Sequence, residues 1–368
     1  MNDSDYMRLA LQLAKKGCGW TAPNPMVGAI IVKNNQIIGQ GWHEKYGEAH
    51  AERNALASCT ENPENATMYI TLEPCCHYGK QPPCVDAILA AGIRRVVVGS
   101  VDPNPLVAGK GVEILRAHGI EVTENILQKE CDRLNEVFFH YIQTSRPFVV
   151  MKYAMTMDGK IASYTGASKW ITGETARAYV QQQRHRYNGI MVGIGTILAD
   201  DPLLNCRMAG GKNPVRIICD THLRTPLHSQ VVTTAKEIPT ILATCCTDSR
   251  KTENYEQAGC RILCLPVKDG HVDLSLLMEK LGQEQIDSIL LEGGGTLNWA
   301  ALKSRIVQRV QAYIAPKLFG GQEAKTPIEG TGVPNPADAF RLENSVLKKL
   351  GNDFYIESEV AYPVYRNH

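Results

Sequence analysis

The chain has 368 residues, enough for two domains of roughly 150 to 200 residues each, and its 39 basic and 38 acidic side chains leave a formal net charge of +1. That balance argues against a polyanion-binding surface, so no nucleic-acid partner is expected, although a few local arginines could still hold a small anion. No apolar run approaches the ~20 residues that span a bilayer, the start Met1-Asn2-Asp3-Ser4-Asp5 is unlike a secretory leader, and twelve cysteines then suit a reducing compartment, so a cytoplasmic protein without a membrane partner is expected.

In chain order, Met7, Ala10, Leu11 and Ala14 fall on one helical face between Ser4 and Gly17. Gly28–Val32 reads as a strand, Lys33–Gln36 as a turn, and Ile37–Gly39 as the start of a return strand. His50–Ser58 reads as a helix and Met68–Leu72 as a strand that delivers Glu73-Pro74-Cys75 at its carboxyl end. Cys84–Ala91 reads as a helix opened by two prolines and closed by Gly92. A buried strand at Arg95–Gly99, a Pro/Gly/Asn loop from Asp102 to Gly111, a helix at Gly111–His118 and a short strand at Ile120–Val122 follow. One long helix is expected near Glu130–Gln143. Thr144-Ser145-Arg146-Pro147 then marks a domain boundary, giving domains 1–145 and 146–368. The second half restarts with a strand at Phe148–Tyr153. Further strands are expected at Gly189–Val192, Val215–Cys219, Thr240–Ala243, Arg261–Leu265 and Ser288–Leu291. Strand and helix alternate in both halves, as in α/β layer folds.

Chemistry concentrates first at His50-Ala51-Glu52, Glu73-Pro74-Cys75 and Pro82-Pro83-Cys84. One histidine and two cysteines can hold zinc with a fourth position open to water, and a glutamate two residues after the histidine is placed to move protons. This pattern matches zinc deaminases, except that eight residues separate Cys75 from Cys84 where two are usual. In a regular helix Glu52 would stand ~200° round from His50, off its face. Both cysteines are expected near helix N-termini, which favours thiolates. Cys76 or His77 could instead supply a fourth ligand and close the site.

Neighbouring motifs narrow the chemistry. Thr21-Ala22-Pro23-Asn24-Pro25-Met26-Val27-Gly28, Cys75-Cys76-His77-Tyr78-Gly79 with Gln81-Pro82-Pro83-Cys84, and Asp102-Pro103-Asn104-Pro105 through Gly109-Lys110-Gly111 resemble the deaminase half of the bifunctional riboflavin-biosynthesis deaminase/reductases. That family usually carries serine where this chain has Cys76. In the second half, Lys152 through Lys160, Ser168-Lys169-Trp170-Ile171-Thr172, Thr196 with Asp200-Asp201-Pro202-Leu203-Leu204 and Arg207, and Glu292 with its glycines are similar to the reductase half. Gly293-Gly294-Gly295-Thr296 alone fits an ordinary tight turn as well as an anion cradle, and it is not G-x-G-x-x-G.

The resemblance implies a cytidine-deaminase-like three-layer N-terminal fold and a dihydrofolate-reductase-like α/β C-terminal domain. It implies zinc on His50, Cys75 and Cys84, Glu52 as catalytic acid/base, and Asn24 as a substrate contact. It implies NADPH on Ala154, Trp170, Thr196, Asp200, Thr221 and the stretch Gly294, Gly295, Thr296, Leu297, Asn298, Trp299 and Ala300. Ser168, Arg184, Leu204, Arg207 and Glu292 would meet substrate, a small phosphorylated pyrimidine that is first deaminated and then reduced at its ribosyl group. A homo-oligomer stays open.

Overall fold

The Gly28–Lys33 strand organises the first half. The computed structural model describes residues 1–362. In it Ala29 and Ile31 face one helical layer while Ile30 and Val32 face the other, as the two-residue period of a strand requires.

The chain divides into two units, Met1–Ser145 and Arg146–His368. The first runs α1 (Asp3–Ala14), β1 (Gly28–Lys33), β2 (Gln36–Trp42), α2 (Ala51–Ala57), β3 (Thr67–Ile70), α3 (Cys84–Ala90), β4 (Arg95–Val98), α4 (Lys110–Ala117), β5 (Glu121–Thr123), α5 (Gln128–Leu134) and α6 (Glu136–Thr144). Its sheet has the order β2-β1-β3-β4-β5. β1 is antiparallel to both neighbours, whereas β3, β4 and β5 run parallel. Tyr6, Met7 and Leu11 of α1, with Cys131 of α5, pack on Ile30, Tyr69 and Val97. Ala51, Ala55, Val85, Ile88 and Leu115 of α2, α3 and α4 pack on Ala29, Met68 and Val96 across the sheet. Each large apolar side chain buried in these stripes contributes about 1.5–3 kcal/mol. The result is the expected three-layer fold. The carboxyl ends of β3 and β4 open onto the loops that carry the chemistry.

The single helix expected near Glu130–Gln143 is two. Asn135 breaks it, with φ −105° and ψ 18°. Its side-chain amide accepts the Met26 N–H at 2.8 Å and donates to the Met26 carbonyl at 3.0 Å. A tertiary demand, invisible in the helical period, sets the break.

The second unit runs β6 (Phe148–Thr156), α7 (Glu174–Arg186), β7 (Gly189–Gly193), α8 (Ile194–Asp200), β8 (Val215–Cys219), α9 (Gln230–Thr233), β9 (Thr240–Thr244), α10 (Ser249–Gln257), β10 (Arg261–Cys264), β11 (Val267–Lys268), β12 (His271–Val272), α11 (Leu274–Gln283), β13 (Ser288–Leu291), α12 (Gly295–Lys303), β14 (Val307–Ala315), β15 (Arg341–Leu350) and β16 (Asp353–Ala361). The main sheet has the order β10-β9-β8-β7-β13-β6-β14-β16-β15. It is parallel through β14, and β16 and β15 are added antiparallel at one edge. Leu277, Met278 and Leu281 of α11 with Ala301 and Leu302 of α12 fill one face. Val231 and Val232 of α9 and Tyr255 of α10 fill the other, where Ala176 and Val180 of α7 pack with Tyr313 and Tyr355. β13 lies centrally between β7 and β6, and it ends at Glu292.

Candidate functional sites in the two halves

His50 is the N-cap of α2, with extended backbone at φ −76° and ψ 165°. The wheel argument that separated Glu52 from His50 therefore fails: His50 is not yet helical, and both side chains line one cavity of about 290 Å³. Cys75 follows β3, and Cys84 is the first residue of α3. The His50 Nδ1 lies 3.6 Å from the Cys75 sulfur and 3.4 Å from the Cys84 sulfur, and the three donor atoms lie within 4.8 Å of one another. A tetrahedral zinc with bonds of about 2.1 Å to nitrogen and 2.3 Å to sulfur separates such donors by about 3.6–3.8 Å. The three residues fit the metal.

Cys75 lies far along the chain from any helix start, contrary to expectation, yet in space it reaches one. Its sulfur accepts the Cys84 N–H at 3.4 Å, at the start of α3. Its thiol is drawn down to about 4 by contact with Cys84 and with His50. Cys84 is pushed upward by the same contact and by burial, so the pair holds one thiolate readily. Cys76 turns away, its thiol donating to the Leu106 carbonyl at 3.7 Å; it is not in the donor cluster, and neither is His77, which lines the cavity.

Glu52 is 3% exposed. Burial raises its pKa, and its side chain contacts the Cys84 thiol. Asn24 lines the cavity and lies 3.3 Å from the Nε2 of His43, whose Nδ1 lies 3.0 Å from the Ala49 carbonyl. With the Asn24 amide donating to Nε2, the ring carries its proton on Nδ1. Burial lowers the His43 pKa, so a neutral imidazole faces the cavity. Sequence reasoning missed His43; a lone histidine after a strand carries no distinguishing pattern. Asp102 also lines the cavity, and burial pushes its carboxyl up to about 6.

In the second unit Glu292, one residue beyond β13, is gripped by Arg184 of α7 through two bonds of 2.8 Å. Lys152 of β6 stands 3.7 Å from the same carboxylate. Burial alone would raise the Glu292 pKa; Arg184 and Lys152 outweigh it and hold the group at about 2. The third Arg184 nitrogen donates to the Asn205 carbonyl at 3.0 Å. The ion pair of Lys152 with Glu292 joins residues 140 positions apart, which no local motif records.

The structure brings several expected contacts together. Ser168 donates to Asp200 at 3.4 Å. The Gly193 N–H donates to the Gly293 carbonyl at 2.9 Å, joining the ends of β7 and β13, and Thr196 lies beside Gly294. Gly295 must be glycine, because a β-carbon there would lie 2.7 Å from Glu329 and 2.8 Å from the Thr326 carbonyl. The buried Asn298 Oδ1 lacks a partner. Trp170 is 62% exposed, with the Arg177 guanidinium 4.6 Å from its ring. The glycine cradle at the start of α12 fits an anionic cofactor group.

Other expected contacts are more limited. The Leu204 side chain is in the core with Ile190 and Val192, which leaves its main chain, at φ 50°, as the available surface. Asn298 spends its amide on the Pro327 carbonyl at 2.8 Å. Leu297 and Ala300 pack partly on the core, and Trp299 packs on Gly330 and Phe340. Ala154 packs near Tyr313. Thr221 offers its carbonyl to Cys245 and Thr244. Arg207 is exposed, with its N–H on Gln181. Beneath the Asp200–Arg207 strap lies Arg216, fully buried, one of whose nitrogens donates to the Leu203 carbonyl at 3.3 Å.

Comparison with known proteins follows the same division. Residues 1–100 match the family model of the cytidine and deoxycytidylate deaminase zinc-binding region, and residues 147–356 match that of the RibD C-terminal domain. The riboflavin biosynthesis protein RibD of Actinobacillus pleuropneumoniae is 55% identical over 364 residues, covering 99% of this chain and 97% of its own. Among solved structures, Acinetobacter baumannii RibD superposes with a TM-score of 0.87 at 36% identity, covering 98% of this chain and 99% of that one. The diaminohydroxyphosphoribosylaminopyrimidine deaminase/5-amino-6-(5-phosphoribosylamino)uracil reductase of Thermotoga maritima gives 0.84 at 36% identity, with the same coverage.

Proposed function

Because the chain belongs to the RibD family of riboflavin-biosynthesis proteins, we propose a division of work between its halves and a residue assignment for each. It is a bifunctional deaminase and reductase of riboflavin biosynthesis, with zinc serving deamination and NADPH serving reduction. We assign the zinc-dependent step to residues 1–145 and the NADPH-dependent step to residues 146–368. The substrate of the first is 2,5-diamino-6-ribosylamino-4(3H)-pyrimidinone 5′-phosphate. The second reduces the ribosyl group of its product to ribityl.

The reading rests on one observation: three metal donors cluster within 4.8 Å of one another, and two of them, His50 and Cys75, line one cavity with the buried Glu52. His50, Cys75 and Cys84 would hold zinc, which when bound supplies the Lewis acidity that makes water a nucleophile near neutral pH. Glu52 would take a proton from water as the water oxygen bonds to the amine-bearing ring carbon, and pass it to the ring nitrogen that receives the displaced carbon–nitrogen π pair. The remaining hydroxyl proton then moves through Glu52 to the departing amine, a carbon–oxygen double bond forms, the carbon–amine bond breaks and ammonia leaves. Neutral His43 and Asn24 orient the ring by hydrogen bonds.

In the second half NADPH supplies the hydride to the sugar carbon attached to nitrogen. The strand-end glycines, Thr196 and Trp170 would hold the cofactor. Arg207 would offer its planar fork to the substrate phosphate. Arg184 is committed to Glu292, so it acts on substrate by fixing that carboxylate. Lys152 and Asp200 are the titratable groups that could deliver the proton matching the hydride.

We place the protein in the cytoplasm, where a chain with twelve cysteines keeps them reduced. A homo-oligomer is compatible with the reading. The deciding assay follows ammonia release and NADPH oxidation together on the authentic substrate. Glu52→Ala should stop ammonia release, by about 10²-fold or more, and leave reduction of the deaminated intermediate intact. Ammonia release at the normal rate would overturn the assignment.

A further inference from the structure

Glu73 lies three residues beyond β3, on the segment that leads to Cys75, and is 3% exposed. A buried carboxylate needs an opposite charge or a full set of hydrogen bonds. Among the described residues Glu73 has no ion pair within 4 Å; it accepts three backbone N–H groups instead. They belong to Asp102 at 3.3 Å, Gly109 at 2.9 Å and Val112 at 3.2 Å. Its own N–H donates to the Ser100 carbonyl at 2.9 Å.

Gly109 is the N-cap of α4, and it brings no capping side chain. Val112 is the third residue of that helix. The free N–H groups of a helix start favour a negative oxygen, normally one from the capping residue itself. Here the oxygen comes from a different part of the chain, the segment after β3 that carries a metal donor. The two elements also interlock sterically: a β-carbon on Gly111 would lie 2.2 Å from the Pro74 carbonyl oxygen. The loop so anchored places Asp102, Asn104 and Val107 in the wall of the cavity that holds His50, Glu52 and Cys75. Cys76 adds a second tie from the metal side, to Leu106.

We infer that Glu73 is a positioning residue of the deaminase: its carboxylate fixes the Asp102–Val112 loop against the segment after β3 that bears Cys75, so that the wall receiving substrate and the metal donor facing it keep one spacing. The inference rests on reading this cavity as the deaminase site. It separates binding from chemistry, because the loop touches substrate while the donors and Glu52 are held by other elements.

Glu73→Gln keeps the shape but turns an NH₂ group toward backbone donors, so at least one N–H loses its acceptor. The expected result is a KM for the diaminopyrimidine phosphate raised roughly tenfold, equivalent to about 1.4 kcal/mol, with kcat changed less than about threefold. Zinc content should stay at the wild-type level. Reduction of the deaminated intermediate, measured on the same preparation, should be unchanged. Glu73→Asp, with the charge kept and the reach shortened, should fall between. An unchanged KM in Glu73→Gln, or a loss of zinc, overturns the inference; faster amide exchange at Gly109 and Val112 with unchanged KM would mean a helix cap and nothing more. If neither variant folds, wild-type protein decides: saturating deaminated product should slow exchange at the Gly109 and Val112 amides, and no slowing overturns the inference. If wild-type protein releases no ammonia, the deaminase reading itself has failed.

Discussion

The two halves build their sites from different distances along the chain. His50, Cys75 and Cys84 lie within 34 positions of one α/β unit: His50 caps α2, Cys84 starts α3, and Cys75 sits in the loop between β3 and α3. The Lys152–Glu292–Arg184 cluster joins β6, β13 and α7 across 108 positions or more. The first site is a motif because the metal demands particular side chains at particular turns. The second depends on which strands the topology makes neighbours, and no local spacing records that. Zinc chemistry is therefore readable in a short window, whereas the reductase cluster becomes visible once β13 is seen between β6 and β7.

The sharpest test of this contrast is to break one site and watch the other. Cys84→Ala removes a metal donor. It should abolish zinc retention, measured by metal analysis, and with it ammonia release by about 10²-fold or more, while NADPH oxidation on the deaminated intermediate continues. A parallel fall in NADPH oxidation would show that the halves are not separable.

The reciprocal change is Arg184→Met. It leaves Glu292 buried with Lys152 alone at 3.7 Å. Breaking a buried pair from one side costs about 3–5 kcal/mol. Thermal unfolding of the second unit should fall accordingly, and reductase turnover with it, with zinc content unchanged.

A finer comparison lies within β13, whose two ends carry carboxylates of opposite behaviour. Glu292, paired, sits at about 2. Asp287 is 3% exposed, and burial pushes it up to about 6 from 3.8. The signs differ. The depressed Glu292 contributes stability above its unfolded value, near 4.5, that is lost as pH falls toward about 2. The raised Asp287 makes the fold bind more protons than the unfolded chain between 3.8 and about 6, so stability falls as pH rises through that window. Asp287→Asn should therefore stabilise the protein at pH 7 by on the order of 1–3 kcal/mol and have little effect at pH 3. Equal effects at both pH values in chemical denaturation would refute the assignment.

The smallest expected effect concerns Asn135. Asn135→Ala removes both bonds to Met26, at 2.8 and 3.0 Å, and should cost about 1–2 kcal/mol. Measured as a shift in urea midpoint, it tests whether the break between α5 and α6 is held by that segment.

Much of the first unit was legible because its strands alternate cleanly and its motifs sit at element ends. Ala29/Ile31 and Ile30/Val32 already declare a strand covered on both faces. Asn135 was illegible because asparagine is tolerated within helices and its amide answers Met26, far away in sequence. Glu52 was read in part: its role followed from H-x-E, but its reach required knowing that His50 caps α2 and stands outside it. Of the expected reductase contacts, Ser168, read for substrate, meets Asp200, read for cofactor, and Thr196 meets Gly294. Leu204 and Asn298 turned out to be partly structural, because resemblance carries a position and leaves open which of its atoms face the site. Arg216 gave no warning at all; an arginine in a short apolar strand does not announce that its charge ends up sealed beneath the strap.

Trp170 has a practical consequence. It is the one tryptophan of the second unit standing well into solvent, at 62% exposure, since Trp299 is held against Phe340 with ring centroids 6.0 Å apart. An indole so exposed emits at long wavelength and overlaps the absorption band of a reduced nicotinamide. Cofactor settling over it would quench the emission and transfer energy to the nicotinamide, giving the reductase half its own optical readout. The other half carries Trp20 and Trp42, so comparing Trp170→Phe with the wild-type protein isolates the Trp170 signal.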